Sequence, residues 1–460
     1  MREYDVAVLG GGPGGYVAAL RASMRGAKAC CIEAGHLGGT CLNVGCIPTK
    51  AMLHASELLR GFSRSRELGF TAGAVEVDDK AFMARVEKVV AELRKGVEML
   101  LKARKVDVIR GRGRLAAGDT ILVETDGGEE RVKARSIIIA TGAKPARPDF
   151  LPWDSPRIMT TDEATTAKEL PRSVVIIGGG VIGCEFATVY SELGIPTTVV
   201  EMLDSLAPEL DSDASRSTVK SLQKRGVTIL TGSRVVSVDA GDAGVAVSLA
   251  DGQRVEAACA LVAVGRIPNT EGIGLEAAGL EMDGKVIRVD DRCRTNVEGL
   301  YAVGDVATHL QYAHLASRMG IIAADNATGH EASDDRQIVP VCMYTHPEAA
   351  AVGLAEPQAR EKCPNVRVAK FPYMASGMAR AYGETEGMVK LIGDPEIGEI
   401  LGAVVIGQHA SDTIQEIATA MRSELTFEEI ANTIHPHPTF VEGLCEAAEA
   451  WLGMPLHSPG

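Results

Sequence analysis

The chain lacks a positive charge excess, a membrane-length apolar run and a high aromatic content. Its net charge is −14 and its pI is near 5.3, which argues against nucleic acid and anionic membrane as main partners. No apolar run reaches the roughly 18 residues of a membrane span without meeting a charge. No charged-then-apolar leader opens the chain, because Tyr4–Leu9 runs straight into glycines. Aromatics make up 4% of the residues while glycine numbers 50, a balance suited to tight turns and close backbone approaches. Zinc-type spacing is missing too. The ten cysteines form no paired CxxC set, so no metal site is expected. Apart from Cys41 and Cys46 they read as reduced or buried thiols of a reducing compartment, and the expected location is cytoplasmic. The remainder, 46% hydrophobic and 23% charged, is that of a globular protein. A chain of 460 residues allows roughly two to four domains.

What is present begins with a β-α-β nucleotide fingerprint. Tyr4–Leu9 reads as a buried parallel strand. Gly10-Gly-Gly-Pro-Gly-Gly15 follows, then an Ala-rich helix, then a strand from Lys28 that ends at Glu33. Gly10 suits the tight turn, Gly12 the close approach of backbone to a pyrophosphate, and Gly15 the packing of helix on strand. Glu33 is placed to accept hydrogen bonds from a ribose. A second copy starts at Val174–Ile177 and runs through Gly178, Gly180 and Gly183 to Glu201. From Gly15 to Glu33 and from Gly183 to Glu201 is the same step of 18 residues. Two equal copies imply two nucleotide-binding domains in one chain. Met202, Leu203 and Asp204 follow Glu201 with no Arg or Lys to hold a 2′-phosphate, which favours NAD over NADP.

Between the copies lies Gly38–Lys50, GGTCLNVGCIPTK. In a regular helix, residues five apart point about 140° away from each other with Cα atoms roughly 8–9 Å apart. A disulfide needs Cα atoms within about 7 Å. Either Cys41 and Cys46 are two buried thiols, or the helix start is irregular there and the pair is redox-active and easily reduced. Asn43, Gly45 and Pro48 favour irregularity. Thr40 is expected to cap the helix that carries the cysteines. Lys50 falls on a helix face similar to that of Cys46.

GGTCLNVGCIPTK resembles the redox motif of the flavin-dependent pyridine nucleotide-disulfide oxidoreductases, most of all their dihydrolipoamide dehydrogenase branch, and the likeness spans essentially the whole chain. It implies an α/β fold: two Rossmann-like FAD- and NAD-binding domains plus an α+β C-terminal dimerisation domain. The expected boundaries are 1–145 and 270–338 for a discontinuous FAD-binding domain, 146–269 for the NAD-binding domain and 339–460 for the interface domain. Thr141 and Gly142 would lie near the flavin, Lys50 against it, and Glu185 beside Lys50. Asp305, after Gly304 at a strand end, would meet the flavin's ribityl and phosphate region. Gly265 opens the return crossing. By the same likeness Cys41 exchanges with substrate and Cys46 contacts the flavin. Near the C-terminus, His435-Pro-His-Pro-Thr-Phe-Val-Glu442 places a His in a rigid loop five residues before an acid that could orient it. The resemblance makes His437 the base and Glu442 its orienting acid, with His435 as support, acting on the partner subunit of a homodimer.

The expected reaction is oxidation of dihydrolipoyl groups with reduction of NAD. The substrate is a lipoyl domain or small dithiol, in the setting of a 2-oxoacid dehydrogenase or glycine cleavage complex. Phe440-Val441 and Ser317-Arg318-Met319 depart from the branch's pattern, which bears on the disulfide substrate more than on the chemistry. One alternative is a related disulfide or metal-ion reductase of the mercuric type, although the tail offers only Cys445 where that type carries a vicinal pair. Another is a non-catalytic FAD/NAD-binding member of a multienzyme assembly. Asp79–Lys105 reads as a long amphipathic scaffold helix whose stripe includes Leu93 and Leu100. His314 is expected on a helix, for packing or capping as readily as for function.

Overall fold

A computed structural model describes residues 1–116, 118–334 and 336–457. Its first sheet is built on β1 (Arg2–Leu9), whose Val6, Ala7 and Val8 expose no surface, the burial that a strand covered on both faces demands. β2 (Ala29–Glu33) pairs parallel with β1, and β3 (Asp107–Arg110) pairs parallel with β2. β4 (Arg112–Leu115) and β5 (Thr120–Thr125) form an antiparallel meander with the start of β6 (Gly128–Ile139). The second half of β6 pairs parallel with β1, and its other edge takes Leu300–Ala302 from far downstream, Leu300 opposite Ile137.

α1 (Pro13–Met24) joins β1 to β2, and α2 (Gly39–Asn43), α3 (Cys46–Ser63) and α4 (Asp79–Ala103) follow. α4 buries Met83, Val86, Val90, Val97 and Leu101, a narrow single stripe. Leu93 and Leu100 stay 44% and 53% exposed, so the stripe is narrower than the apolar pattern suggests. The third glycine of each fingerprint is fixed by packing. A Cβ at Gly15 would lie 1.8 Å from the Gly10 carbonyl oxygen, and one at Gly183 would lie 2.0 Å from that of Gly178.

The second unit repeats the plan. Thr160 caps the short α5 (Thr161–Thr166) in a capping box with Glu163. Val174–Ile177 leads into α6 (Val181–Glu192) and back to Thr197–Val200, then α7 (Ser212–Lys224). Five parallel strands result, with Val174–Ile177 at the centre and Thr228–Leu230 and Ile158–Thr160 at the edges. A three-stranded antiparallel sheet, Val235–Gly241, Gly244–Leu249 and Arg254–Ala257, packs beside it. The two chain crossings pair with each other: Ala143–Pro145 runs antiparallel to Arg266–Pro268. The chain then returns to the first sheet. There α8 (Ala313–Ala327) lies so close to α1 that a Cβ on Gly320 would sit 2.3 Å from the Gly14 carbonyl oxygen. Asp325 of α8 holds Arg21 (2.7 and 2.8 Å) and Arg25 (2.7 Å) of the α1 end.

From residue 341 a five-stranded antiparallel sheet forms. Four of its strands are Val341–Met343, Arg367–Pro372, Met388–Gly393 and Ile400–Ile406. The fifth, Ala349–Gly353, reads Ala-Ala-Ala-Val-Gly and carries almost no strand signal. Among the described residues no helix is long and apolar enough to cross a membrane.

Candidate active site

Strand register decides what gathers at the crevice. Leu9 stands opposite Ile32 and Ile139, and Ile139 opposite Ala302. The Gly10 loop, Glu33, Thr141-Gly142 and Gly304-Asp305 therefore leave the sheet at one level, at the carboxyl ends of parallel strands where ligands of such sheets bind. Glu33 accepts the Gly11 N–H at 2.7 Å and the Gly35 N–H at 2.6 Å. Burial raises the pKa of Asp305, against the opposing charge of Arg266. In the second sheet Glu201 accepts from Gly179 N–H at 2.5 Å and Leu203 N–H at 2.8 Å, and Gly265 lines the same cavity. Both copies thus tie the acid to the middle of the glycine loop.

The two loops open into one cavity of about 2100 Å³ that also reaches Cys41, Cys46 and Lys50. Bare glycine backbone, a helix N-terminus and a terminal acid at each end fit a dinucleotide laid from either side, as FAD and NAD would be.

The chain breaks its helix between the cysteines. α2 ends at Asn43, Gly45 takes φ −123° and ψ −108°, and α3 begins at Cys46. The break brings the thiols within hydrogen-bonding reach, which an unbroken helix would not. The Asn43 amide donates to Leu37 O (3.0 Å) and Gly39 O (2.8 Å), and its oxygen accepts from Arg94 Nε at 2.8 Å. Thr40 does not cap this segment. Gly38 does, at φ 92°, a left-handed conformation that favours glycine, and Thr40 lies inside α2 with its hydroxyl 3.4 Å from the Arg266 guanidinium. Both cysteines are thiols. The hydrogen bond from Cys41 and then the Lys50 ammonium bring the Cys46 thiol down to about 7, against burial. Cys41 moves far up, first through that same bond and then through burial.

Lys50 Nζ donates to both oxygens of Glu185, at 2.9 and 2.8 Å, and Glu185 is 2% exposed. This joins the cysteine helix to α6 of the second unit. Tyr344, from the C-terminal unit, completes the group. Its N–H donates to Glu185 Oε1 at 3.0 Å, and its ring lies 4.4 Å from Lys50 Nζ. Sequence reasoning passed over Tyr344, because a backbone N–H carries no side-chain signature. It passed over Arg266 as well, which donates to Ala143 O at 2.9 Å between the paired crossings.

His314 lies in the cavity wall, stacked on Tyr312 at 5.5 Å, and burial lowers its pKa. His437 is elsewhere. Its Nδ1 lies 2.8 Å from Glu442 Oε1, Glu442 Oε2 accepts the Thr439 N–H at 2.7 Å, and the imidazole is 78% exposed. Glu442 also starts the helix Glu442–Trp451. Neither residue lines the cavity that holds the cysteines. His435 is turned inward, onto Glu416 at 3.0 Å.

Comparison with known proteins agrees with this architecture. Residues 4–320 match the family model described as pyridine nucleotide-disulphide oxidoreductase, and residues 339–448 match the dimerisation domain of the same group. A dihydrolipoyl dehydrogenase of Bacillus subtilis is 40% identical over 99% of both chains, and that of Thermus scotoductus is 41% identical over 99% of both. Among solved structures, LpdA from Mycobacterium tuberculosis superposes with a TM-score of 0.91 at 31% identity, covering 98% of this chain and 99% of its own. The HOCl-induced flavoprotein disulfide reductase RclA from Escherichia coli, solved as a Cu(II) complex, gives 0.89 at 27% identity, covering 98% of this chain and all of its own.

Proposed function

Because the chain belongs to the pyridine nucleotide-disulphide oxidoreductase family, we propose that it oxidises dihydrolipoyl groups and reduces NAD through Cys41 and Cys46. It is a flavoprotein disulfide oxidoreductase that uses FAD and NAD(H), and it carries the family's dimerisation domain. We assign FAD to the discontinuous unit 1–145 and 270–338, NAD to 146–269, and the subunit interface to 339–460. The observation that carries the reading is one cavity in which Cys41, Cys46 and the Lys50–Glu185 pair stand between two nucleotide loops.

In this reading His437, held by Glu442, takes a proton from the substrate dithiol, since the thiolate is the attacking species. That thiolate attacks Cys41 Sγ of the oxidised pair. The Cys41–Cys46 bond breaks, a mixed disulfide forms, and Cys46 leaves as a thiolate. The second substrate thiol then displaces Cys41, which releases the lipoyl disulfide and leaves the dithiol. The Cys41 hydrogen bond and the Lys50 charge stabilise the Cys46 thiolate. The flavin, when bound, carries the electron pair from the thiols to the nicotinamide. The exposure of His437, outside the cavity of its own chain, supports delivery to the partner subunit's cysteines. The substrate sits in a lipoyl domain, within a cytoplasmic 2-oxoacid dehydrogenase or glycine cleavage complex.

Anaerobic stopped-flow absorbance tests the proposal. Mixing with dihydrolipoamide reduces the flavin by two electrons and produces a thiolate–flavin absorbance band, and NAD then yields NADH. Cys46→Ser abolishes the first step. If NADH reduces the flavin while dihydrolipoamide does not, the substrate assignment fails and another disulfide or a metal ion takes its place.

A further inference from the structure

The two fingerprints are alike in sequence but not at their helix N-termini. In the first, Pro13 occupies the opening position of α1, has no N–H to offer, and no side chain caps the helix. In the second, the opening position of α6 is Val181, whose N–H donates to Glu209 Oε1 at 2.9 Å. A Cβ built on Gly180 would lie 3.4 Å from that same oxygen. Glu209 lines the cavity beside Gly180 and Val181. No cation pairs with it among the described residues, and its carboxylate is held by the helix end alone. Glu201 already supplies the acid common to both copies, so Glu209 is an addition specific to the second.

The N–H groups at the start of α6 are those that a dinucleotide's pyrophosphate would take, because the helix dipole and unpaired donors favour an anion there. We propose that Glu209 is a displaceable gate on the nicotinamide dinucleotide site: its carboxylate and the pyrophosphate compete for the same donor and repel each other. The inference rests on assigning the second loop to NAD. The gate lowers affinity for NAD and NADH alike and speeds their departure. The α1 end carries no such competitor, in keeping with a cofactor that stays.

The test uses the FAD-loaded protein, fully reduced beforehand under anaerobic conditions so that added NADH binds without transferring a hydride. Dissociation constants for NADH, ADP-ribose and adenosine are measured by calorimetry at low and high salt, with Glu209→Gln and Glu209→Ala beside the wild type. Gln keeps an acceptor for the Val181 N–H without the charge, and Ala removes both. Both variants are expected to bind NADH and ADP-ribose roughly five- to tenfold more tightly at low salt, the size of one nearby charge at partial exposure. The gain shrinks at high salt, and adenosine, which has no phosphate, binds unchanged. Asp251→Asn, at an exposed turn of the same unit, leaves all three constants alone. Unchanged or weaker NADH binding in both variants refutes the gate while leaving the site assignment standing. A wild-type protein that binds neither NADH nor ADP-ribose overturns both.

Discussion

Replacing Cys41 by alanine removes the donor that contributes most to lowering the Cys46 thiol pKa. The thiol's ordinary value near 9 falls to about 7 in this site. Near pH 7.5, a thiol titrating at 7 is roughly three-quarters ionised, while one titrating at 9 is roughly 3% ionised. Lys50 remains in Cys41→Ala and keeps part of the effect, so the ionised fraction should fall several-fold rather than to the free-thiol level. The titration is followed in the FAD-loaded protein through the ultraviolet absorbance of the thiolate and its rate of alkylation by iodoacetamide. Cys41→Ser keeps a hydroxyl donor in the same place and should keep most of the depression. If Cys46 titrates near 7 in all three proteins, the hydrogen bond is not the cause. If serine and alanine behave alike, donation is not what Cys41 supplies.

Lys50→Met leaves the buried Glu185 carboxylate with the Tyr344 N–H as its remaining donor and should cost about 3 kcal/mol in urea unfolding of the FAD-loaded protein. Lys50→Arg keeps the charge and should lose clearly less. At Asp325, burial raises the carboxyl pKa, but Arg21 and Arg25 outweigh it and hold the group at about 2. A depressed folded value stabilises above the unfolded pKa near 4, and that contribution is lost as pH falls toward 2. Asp325→Asn should therefore be less stable by about 1 kcal/mol at neutral pH, with both arginines partly exposed, and should converge with the wild type in acid. Co-expressing Cys46→Ser with His437→Ala tests the shared site. Random pairing restores one intact site in half the dimers, so about a quarter of wild-type dithiol oxidation should return, and none returns if the site lies within one subunit.

The fold was legible where pattern and backbone need coincide. Val174–Ile177 is a strand over its full sequence-marked length, because four consecutive apolar β-branched residues before a glycine turn have few alternatives. Ala349–Gly353 was not legible, since its strand state is imposed by pairing with Ile400–Ile406 rather than by its own residues. The helix break at Gly45 was legible as one of the two readings that the cysteine spacing left open, but its cap was not. Gly38, in the left-handed conformation, takes the cap position, and Thr40, two residues on, lies inside α2. Lys50, Glu185 and both loops were visible as residue types. The contributions of Tyr344 and Glu209 were not, because each acts through a main-chain N–H whose position only the folded chain defines.

The pairing of Ala143–Pro145 with Arg266–Pro268 has a consequence for how the protein assembles on the ribosome. The inserted unit enters and leaves through adjacent strands, so it can close on itself while its ends stay together. The first sheet cannot. It lacks Leu300–Ala302, and α1 lacks α8, until everything between has been synthesised. Folding the insert first shortens the loop that the late strand must close, from the whole intervening chain to a short tether. The N-terminal domain therefore completes after the domain that follows it in sequence, and its nascent form waits with an open β6 edge and an uncovered glycine face on α1.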